Sequence, residues 1–224
     1  IEEVTEEFWN NEVDAENKMF IEEFLQQQHL SSATLKQYES GLRIFAKWVH
    51  DFCIPKGAKK ITELKPRDAL KYQNWLISKG LSSSAIKFKR SAVSTLCNYI
   101  ELYYGEDYKN FRNIFTKAIP NVAKSNTKEK IPLTTKEIEQ IVKELKKRGD
   151  LQKIAYVYYT YITGCRREES RQLLKEVATY KLLKDKDGKD KSFYATHNIR
   201  AKGRGKEGKV RKFAFDQKAM DAIK

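Results

Sequence analysis

An apolar stripe at helical spacing, Leu151, Ile154, Ala155, Val157, Tyr158, Tyr161 and Ile162, runs straight into Gly164 and restarts beyond it on Arg166. That spacing predicts a buried helix. Gly164 suits its end, because a residue without Cβ takes the left-handed conformation at no steric cost. A second helix is then expected over Arg166–Glu176, with Leu173 and Leu174 as its apolar positions. Whatever packs around this corner must leave a guanidinium at a helix start, three residues before the acid Glu169. Such a rigid fork of donors is well placed to hold an oxyanion such as a phosphate. The same residues also read as a helix stop and a charged surface turn, so the rest of the chain has to decide.

The charge distribution narrows the choice of partner. The 224 residues carry 44 Lys+Arg against 30 Asp+Glu, a formal net charge of +14. Residues 1–30 run the other way, with nine acids against Lys18 alone, a net of −8. The remainder therefore holds 43 basic and 21 acidic side chains, a net of +22. Such an excess points to a polyanion. The acidic start is expected to pack on a neighbouring subunit or to shield a basic face. Double-stranded DNA is the expected partner rather than a membrane, since no spanning apolar run or lipidation signal is seen. Cys53, Cys97 and Cys165 are widely spaced and the three histidines scattered, so reduced thiols, no metal and no cofactor are expected, in a cytoplasmic setting. The chain opens on Ile1 and ends at Lys224 inside a helical pattern, which reads as part of a longer protein.

In chain order, an acidic helical segment around Glu16–Gln28 carries Phe20, Ile21, Phe24 and Leu25 on one face, within an N-terminal segment 1–30. Ser31 or Ser32 caps a helix over Ala33–Phe52. Pro66 starts another that runs to Ser78, and Ser82 opens a fourth that runs through Tyr103 to Gly105. Residues 31–120 thus predict a helical bundle that binds DNA. Ser82, Ser83 and Ser84 offer hydroxyls and free amides to a phosphate, with Lys87, Lys89 and Arg90 on the following turns and Lys36 on the earlier helix. Residues 121–130, polar and lysine-rich, read as a linker.

Residues 131–224 open a second domain. Thr134 and Glu137 form a capping box ahead of the stripe Ile138, Ile141, Val142 and Leu145. After Glu176 the pattern alternates, and Thr179–Leu183, Phe193–Ile199 and Val210–Phe215 are strand candidates. Lys184–Lys191 is a charged turn with Asp187-Gly188 at its tip. Ala201–Lys209 is a glycine-punctuated turn bearing Lys202, Arg204, Lys206 and Lys209, further candidates for DNA contact, and Asp216 caps a last helix. The fold class expected is mainly α with a small antiparallel β-sheet.

Thr163-Gly164-Cys165-Arg166 with Glu169 resembles the first active-site box of the tyrosine recombinases, the phage-integrase family, which reads T-G-x-R-x-x-E. Three other stretches agree with it in order. S-S-A-T-L-K-Q-Y with L-S-S-S-A-I-K-F-K-R is similar to the family's core-binding domain, P-L-T-x-x-E to the opening of its catalytic domain, and Lys202-Gly203 to its hairpin lysine. The resemblance implies a site-specific recombinase, bacterial or phage-encoded and acting at the nucleoid, that cuts and rejoins DNA through a 3′-phosphotyrosine and assembles on DNA as a dimer or tetramer. It assigns Arg166 and Lys202 as catalytic and Glu169 as supporting. His197-Asn198-Ile199-Arg200 spells the family's H-x-x-R box but lies too close behind Arg166, inside a strand candidate. The true box and the nucleophilic tyrosine are expected beyond Lys224, which would leave residues 1–224 inactive alone. The chain departs from the family at Cys165, usually aliphatic, and at Ser170-Arg171-Gln172, where an aliphatic run is usual. The alternative is a recombinase fold kept as a sequence-specific DNA binder, such as a phage repressor. An RNA-binding helical scaffold has no motif to support it.

Overall fold

The computed structural model describes residues 1–27, 30–116, 119–123, 131–201 and 208–224. It divides into two compact units, Ile1–Lys128 and Glu129–Lys224. The linker reading falls mostly on residues 124–130, outside the described residues.

The first unit is built from α1 (Glu6–Asn11), α2 (Ala15–Leu25), α3 (Ser32–Phe52), α4 (Pro66–Ser78) and α5 (Ser83–Tyr103). Each start has a local cause. The side chains of Thr5, Asp14, Ser31 and Ser82 accept hydrogen bonds from the first free amides of α1, α2, α3 and α5, and Pro66 occupies the first position of α4. The core joins Phe20 and Phe24 of α2, Leu42 and Phe45 of α3, Tyr72 of α4, and Leu96 and Ile100 of α5, all at most 1% exposed. Tyr38 and Phe88 meet at 5.8 Å between ring centroids, and a Cβ on Gly41 would lie 3.8 Å from that of Ala92. α3 and α5 therefore run side by side in the same direction, with their N-terminal turns at one end of the bundle.

The acidic start packs on its own bundle. Trp9, Phe20, Ile21 and Phe24 are buried with the rest of the core. Its carboxylates are taken up nearby: Glu6 pairs with Arg43, Glu16 meets Lys60 at 3.2 Å, and Glu22 accepts from the Trp9 indole at 3.1 Å. Asn17, 2% exposed, donates to the Lys59 carbonyl and accepts from the Ile61 amide, which fixes α2 against a 3-10 turn at Ile61–Glu63. Phe20→Ala should accordingly destabilise this unit by about 3–5 kcal/mol, as for other buried aromatics. Urea unfolding followed by tryptophan fluorescence measures it. A loss below about 1 kcal/mol would mean that the segment is only loosely attached.

The second unit comprises α6 (Thr135–Lys147), α7 (Leu151–Thr163), α8 (Arg167–Ser170), four short strands and α9 (Gln217–Ile223). The expected capping box at Thr134 and Glu137 is present, and Asp216 caps α9. β1 (Tyr194–Ala195) pairs antiparallel with β4 (Ala214–Phe215), and β2 (Ile199–Ala201) with β3 (Lys209–Arg211). Between the two ladders, residues 196–198 face residues 212–213, three against two. Such an extra residue is a bulge and shifts the register by one. Thr196 bridges it, its amide donating to the Phe213 carbonyl at 3.0 Å and its hydroxyl accepting from the Phe213 amide at 2.9 Å. The core is formed by Tyr159, Val177, Ile199, Phe215, Ala219 and Met220.

The mainly helical class with small antiparallel pairing is borne out, but two sequence expectations are corrected. The helix after Gly164 ends at Ser170, and Lys175–Thr179 is a 3-10 turn. Gln172 is the reason. Its side chain donates to the Glu168 and Arg200 carbonyls at 2.8 and 2.9 Å and accepts from the Arg200 amide at 2.8 Å, so it serves the edge of β2. Thr179–Leu183 is not a strand. Leu183 is held by two bonds with Phe193 and Lys191, and one isolated bridge joins Lys184 to Asp190. Alternation there reflects the half-buried Tyr180 and Leu182, which pack on the core of this unit without a ladder partner.

Candidate active site and nucleic-acid interface

α7 ends as its sequence requires, with Gly164 at φ 60° and its amide donating to the Thr160 carbonyl at 2.9 Å. Thr163 turns its hydroxyl back to the Tyr159 carbonyl, and the chain emerges extended at Arg166, the N-cap of α8. Glu169 closes the turn. Its Oε2 accepts from the Arg166 amide at 2.6 Å and its Oε1 from Arg166 Nη1 at 3.0 Å. The Glu169 side chain is 2% exposed, while that of Arg166 is 61% exposed. A buried carboxylate thus orients a guanidinium that faces solvent.

A second arginine reaches the same carboxylate from β3. Arg211 Nη2 donates to Oε1 at 2.9 Å and to Oε2 at 2.8 Å, and the guanidinium lies 4.5 Å from the centre of the Phe213 ring. Burial alone would raise the Glu169 carboxyl. The Arg166 amide and the Arg211 and Arg166 guanidinia outweigh it and hold the group below its ordinary value of 4.5. Glu169 is therefore ionised at neutral pH, one negative charge facing two positive ones. Sequence reading missed Arg211. Its signal was the need of a buried acid for counter-charge, combined with the alternation of the K-V-R phrase.

Lys202, Arg204 and Lys206 lie outside the described residues, between β2 and β3. Lys209 is exposed and pairs with Ala201. Gly208 beside it needs its φ of 64°, and a Cβ there would come within 2.5 Å of the Ala201 carbonyl oxygen. His197 makes no pair with Arg200. One ring nitrogen meets the Tyr180 hydroxyl at 3.1 Å and the other the Gln172 carbonyl at 2.9 Å.

In the first unit, Ser82, Ser84, Lys87 and Lys36 are exposed, and Ser83 and Lys89 half-buried. Ser82 accepts from the Ala85 amide at 3.3 Å and shares a hydrogen with Ser84. The side-by-side course of α3 and α5 brings Lys36 and Lys87, each on an early turn, to one end of the bundle. Two helix N-termini carrying hydroxyls and lysines make an anion-receptive surface there. Burial lowers the pKa of Lys89 and of Arg90. Arg90 is committed to its own bundle, donating to Gln73 and, at 3.2 Å, to the Pro120 carbonyl.

Among the described residues, no three His, Cys, Asp or Glu side chains are placed to hold a metal ion, and no helix is long and apolar enough to cross a membrane.

The comparisons with known proteins bear on the helical bundle and on the fold. Residues 18–101 match the family "Phage integrase, N-terminal SAM-like domain". Over 225 residues the chain is 34% identical to the SPbeta prophage-derived recombinase-like protein YomM of Bacillus subtilis (strain 168). That match covers 99% of this chain and 64% of YomM. The fold is similar to that of the Tn1549 transposon integrase solved with transposon right end DNA, at 19% identity and a TM-score of 0.58, covering 92% of this chain and 62% of the integrase. XerH site-specific recombinase bound to its substrate gives 16% identity and 0.53, covering 96% and 62%. The chain is thus similar to phage integrases and site-specific recombinases, and spans somewhat under two thirds of the length of these relatives.

Proposed function

We propose that this chain is the DNA-clamping part of a site-specific recombinase, with its helical bundle and the first portion of its catalytic domain. The whole protein cuts and rejoins duplex DNA through a 3′-phosphotyrosine. The observation that carries this reading is the Arg166–Glu169 corner, an exposed guanidinium aligned by a carboxylate 2% exposed within a T-G-x-R-x-x-E phrase. In this reading Arg166 neutralises the phosphoryl oxygens as the pentavalent transition state forms. A donor of this kind contributes roughly 3–4 kcal/mol. Glu169 takes no proton; it fixes the rotamer of Arg166. Lys202 protonates the leaving 5′ oxygen, and the nucleophile is a tyrosine.

The bundle holds the duplex by its backbone, with Lys36, Ser82, Ser83, Ser84 and Lys87 at the end shared by α3 and α5. Lys89 supplements them, and Arg204, Lys206 and Lys209 act from the second unit. Arg90 belongs to the DNA-facing helix but acts through the bundle, by holding Pro120. Strand exchange needs more than one protomer, so the protein self-associates on DNA.

The +22 balance after residue 30 supplies the test. Residues 1–224 should bind duplex DNA with log K falling linearly against log[salt], at a slope of about −0.9 per phosphate contacted. Fluorescence anisotropy over a salt series measures the slope. Binding insensitive to salt, or none at low salt, would contradict the clamp.

A further inference from the structure

Gln172 stands in the turn after α8, outside the T-G-x-R-x-x-E phrase, and its side chain is fully engaged. β2 has β3 on one edge and, among the described residues, no strand on the other. The Gln172 carboxamide fills that open edge. Its oxygen accepts from the Arg200 amide at 2.8 Å and its nitrogen donates to the Arg200 carbonyl at 2.9 Å, the exchange that paired residues of antiparallel strands make. The same nitrogen donates to the Glu168 carbonyl on α8 at 2.8 Å. A primary amide has two donor hydrogens, and both are spent. The backbone of Gln172 is held as well. Its amide donates to the Glu169 carbonyl at 3.3 Å, and its carbonyl accepts from His197 Nε2 at 2.9 Å.

These bonds close a ring about Glu169. From the Glu169 backbone the ring passes to Gln172, through its carboxamide to Arg200 on β2, and across the ladder, where Ile199 faces Arg211, to β3. Arg211 returns to the Glu169 carboxylate at 2.8 and 2.9 Å. The two ties between α8 and the ladder differ in stiffness. Arg211 is a long side chain, 45% exposed, that can follow the carboxylate when α8 shifts. Gln172 joins backbone to backbone through one short amide, and its bonds weaken steeply once bent.

We propose that Gln172 is a positioning residue for strand cleavage. Its carboxamide acts as a one-residue strand that fixes α8 against β2, and so fixes where Glu169 points the Arg166 guanidinium, 3.0 Å away. The inference rests on the reading of Arg166 given above. A donor that must meet a transition state loses rate steeply when misplaced, whereas a ground-state grip on DNA tolerates the shift.

The test uses the protein complete to its natural C-terminus. Gln172→Met keeps the length of the side chain and removes its three hydrogen bonds. Gln172→Glu keeps the acceptor for the Arg200 amide and sets an oxygen against the Glu168 and Arg200 carbonyls. Each variant, assayed where circular dichroism shows it folded, should cleave saturating DNA about tenfold more slowly at unchanged DNA affinity. The Arg166 Nε–Hε NMR signal of the DNA-free protein, assigned by its absence from Arg166→Lys, should shift in both. An Arg166 signal that stays in place, cleavage lost only in step with DNA affinity, or loss of the folded state in both variants would leave Gln172 a structural clamp and overturn the inference. A shifted Arg166 signal with cleavage at its full rate would instead overturn the reading of Arg166 on the phosphate, and the inference with it.

Discussion

Arg166→Ala, made in the protein complete to its natural C-terminus, is expected to lower the rate of DNA cleavage about a hundredfold or more while DNA binding weakens only modestly. The asymmetry follows from where the residue sits. Arg166 is one cation in a region of net charge +22, so removing its share of ground-state phosphate binding changes affinity little. Glu169 holds the Arg166 backbone amide at 2.6 Å and aims its guanidinium through a bond of 3.0 Å, and a donor so fixed contributes most where charge develops. Arg166→Lys should restore little, since it keeps the charge and loses the fork. Cleavage assayed on labelled duplex, beside anisotropy for binding, separates the two. Equal losses in both would show that Arg166 merely grips DNA.

Lys202→Ala should lower cleavage by about a hundredfold or more, through loss of a general acid. A substrate whose leaving 5′ oxygen is replaced by bridging sulfur should restore most of that rate. A thiolate leaves without being protonated, so the acid loses its importance. Arg166→Ala should gain no comparable rescue, because its charge stabilisation is still needed. Failure of the sulfur substrate to rescue Lys202→Ala would remove the lysine from proton transfer and leave it as a DNA contact.

Much of this fold could be read from the sequence because its signals are local. Ser31, Ser82, Thr134, Asp216 and Gly164 cap where their side chains or lack of one dictate, and each does so within four residues. The elements that escaped depend on partners distant in the chain. α8 is short because Gln172 bonds the backbone of Arg200, 28 residues on. The bulge at 196–198 is a matter of register between two strands, which alternation alone does not reveal. At the site the same division holds. The Arg166–Glu169 pair is a three-residue spacing, visible in one helical turn. Arg211 joins it from 42 residues away, across a sheet edge. The apolar face of the acidic start, Phe20, Ile21 and Phe24, was legible at helical spacing, and with Trp9 it buries the segment in the bundle, whereas its charge pointed to a neighbouring subunit or a basic face.

The most direct test of the central claim, that this corner serves strand cleavage and does more than bind DNA, is trapping on a nicked suicide substrate carrying the protein's own site. Loss of the short nicked fragment prevents rejoining, so a cleaving enzyme accumulates bound to DNA. The wild-type protein, complete to its natural C-terminus, should form a denaturant-resistant covalent adduct that Arg166→Ala forms far more slowly. Tight binding of the same DNA by the wild type with no adduct would contradict the account and identify a recombinase fold kept for sequence-specific binding.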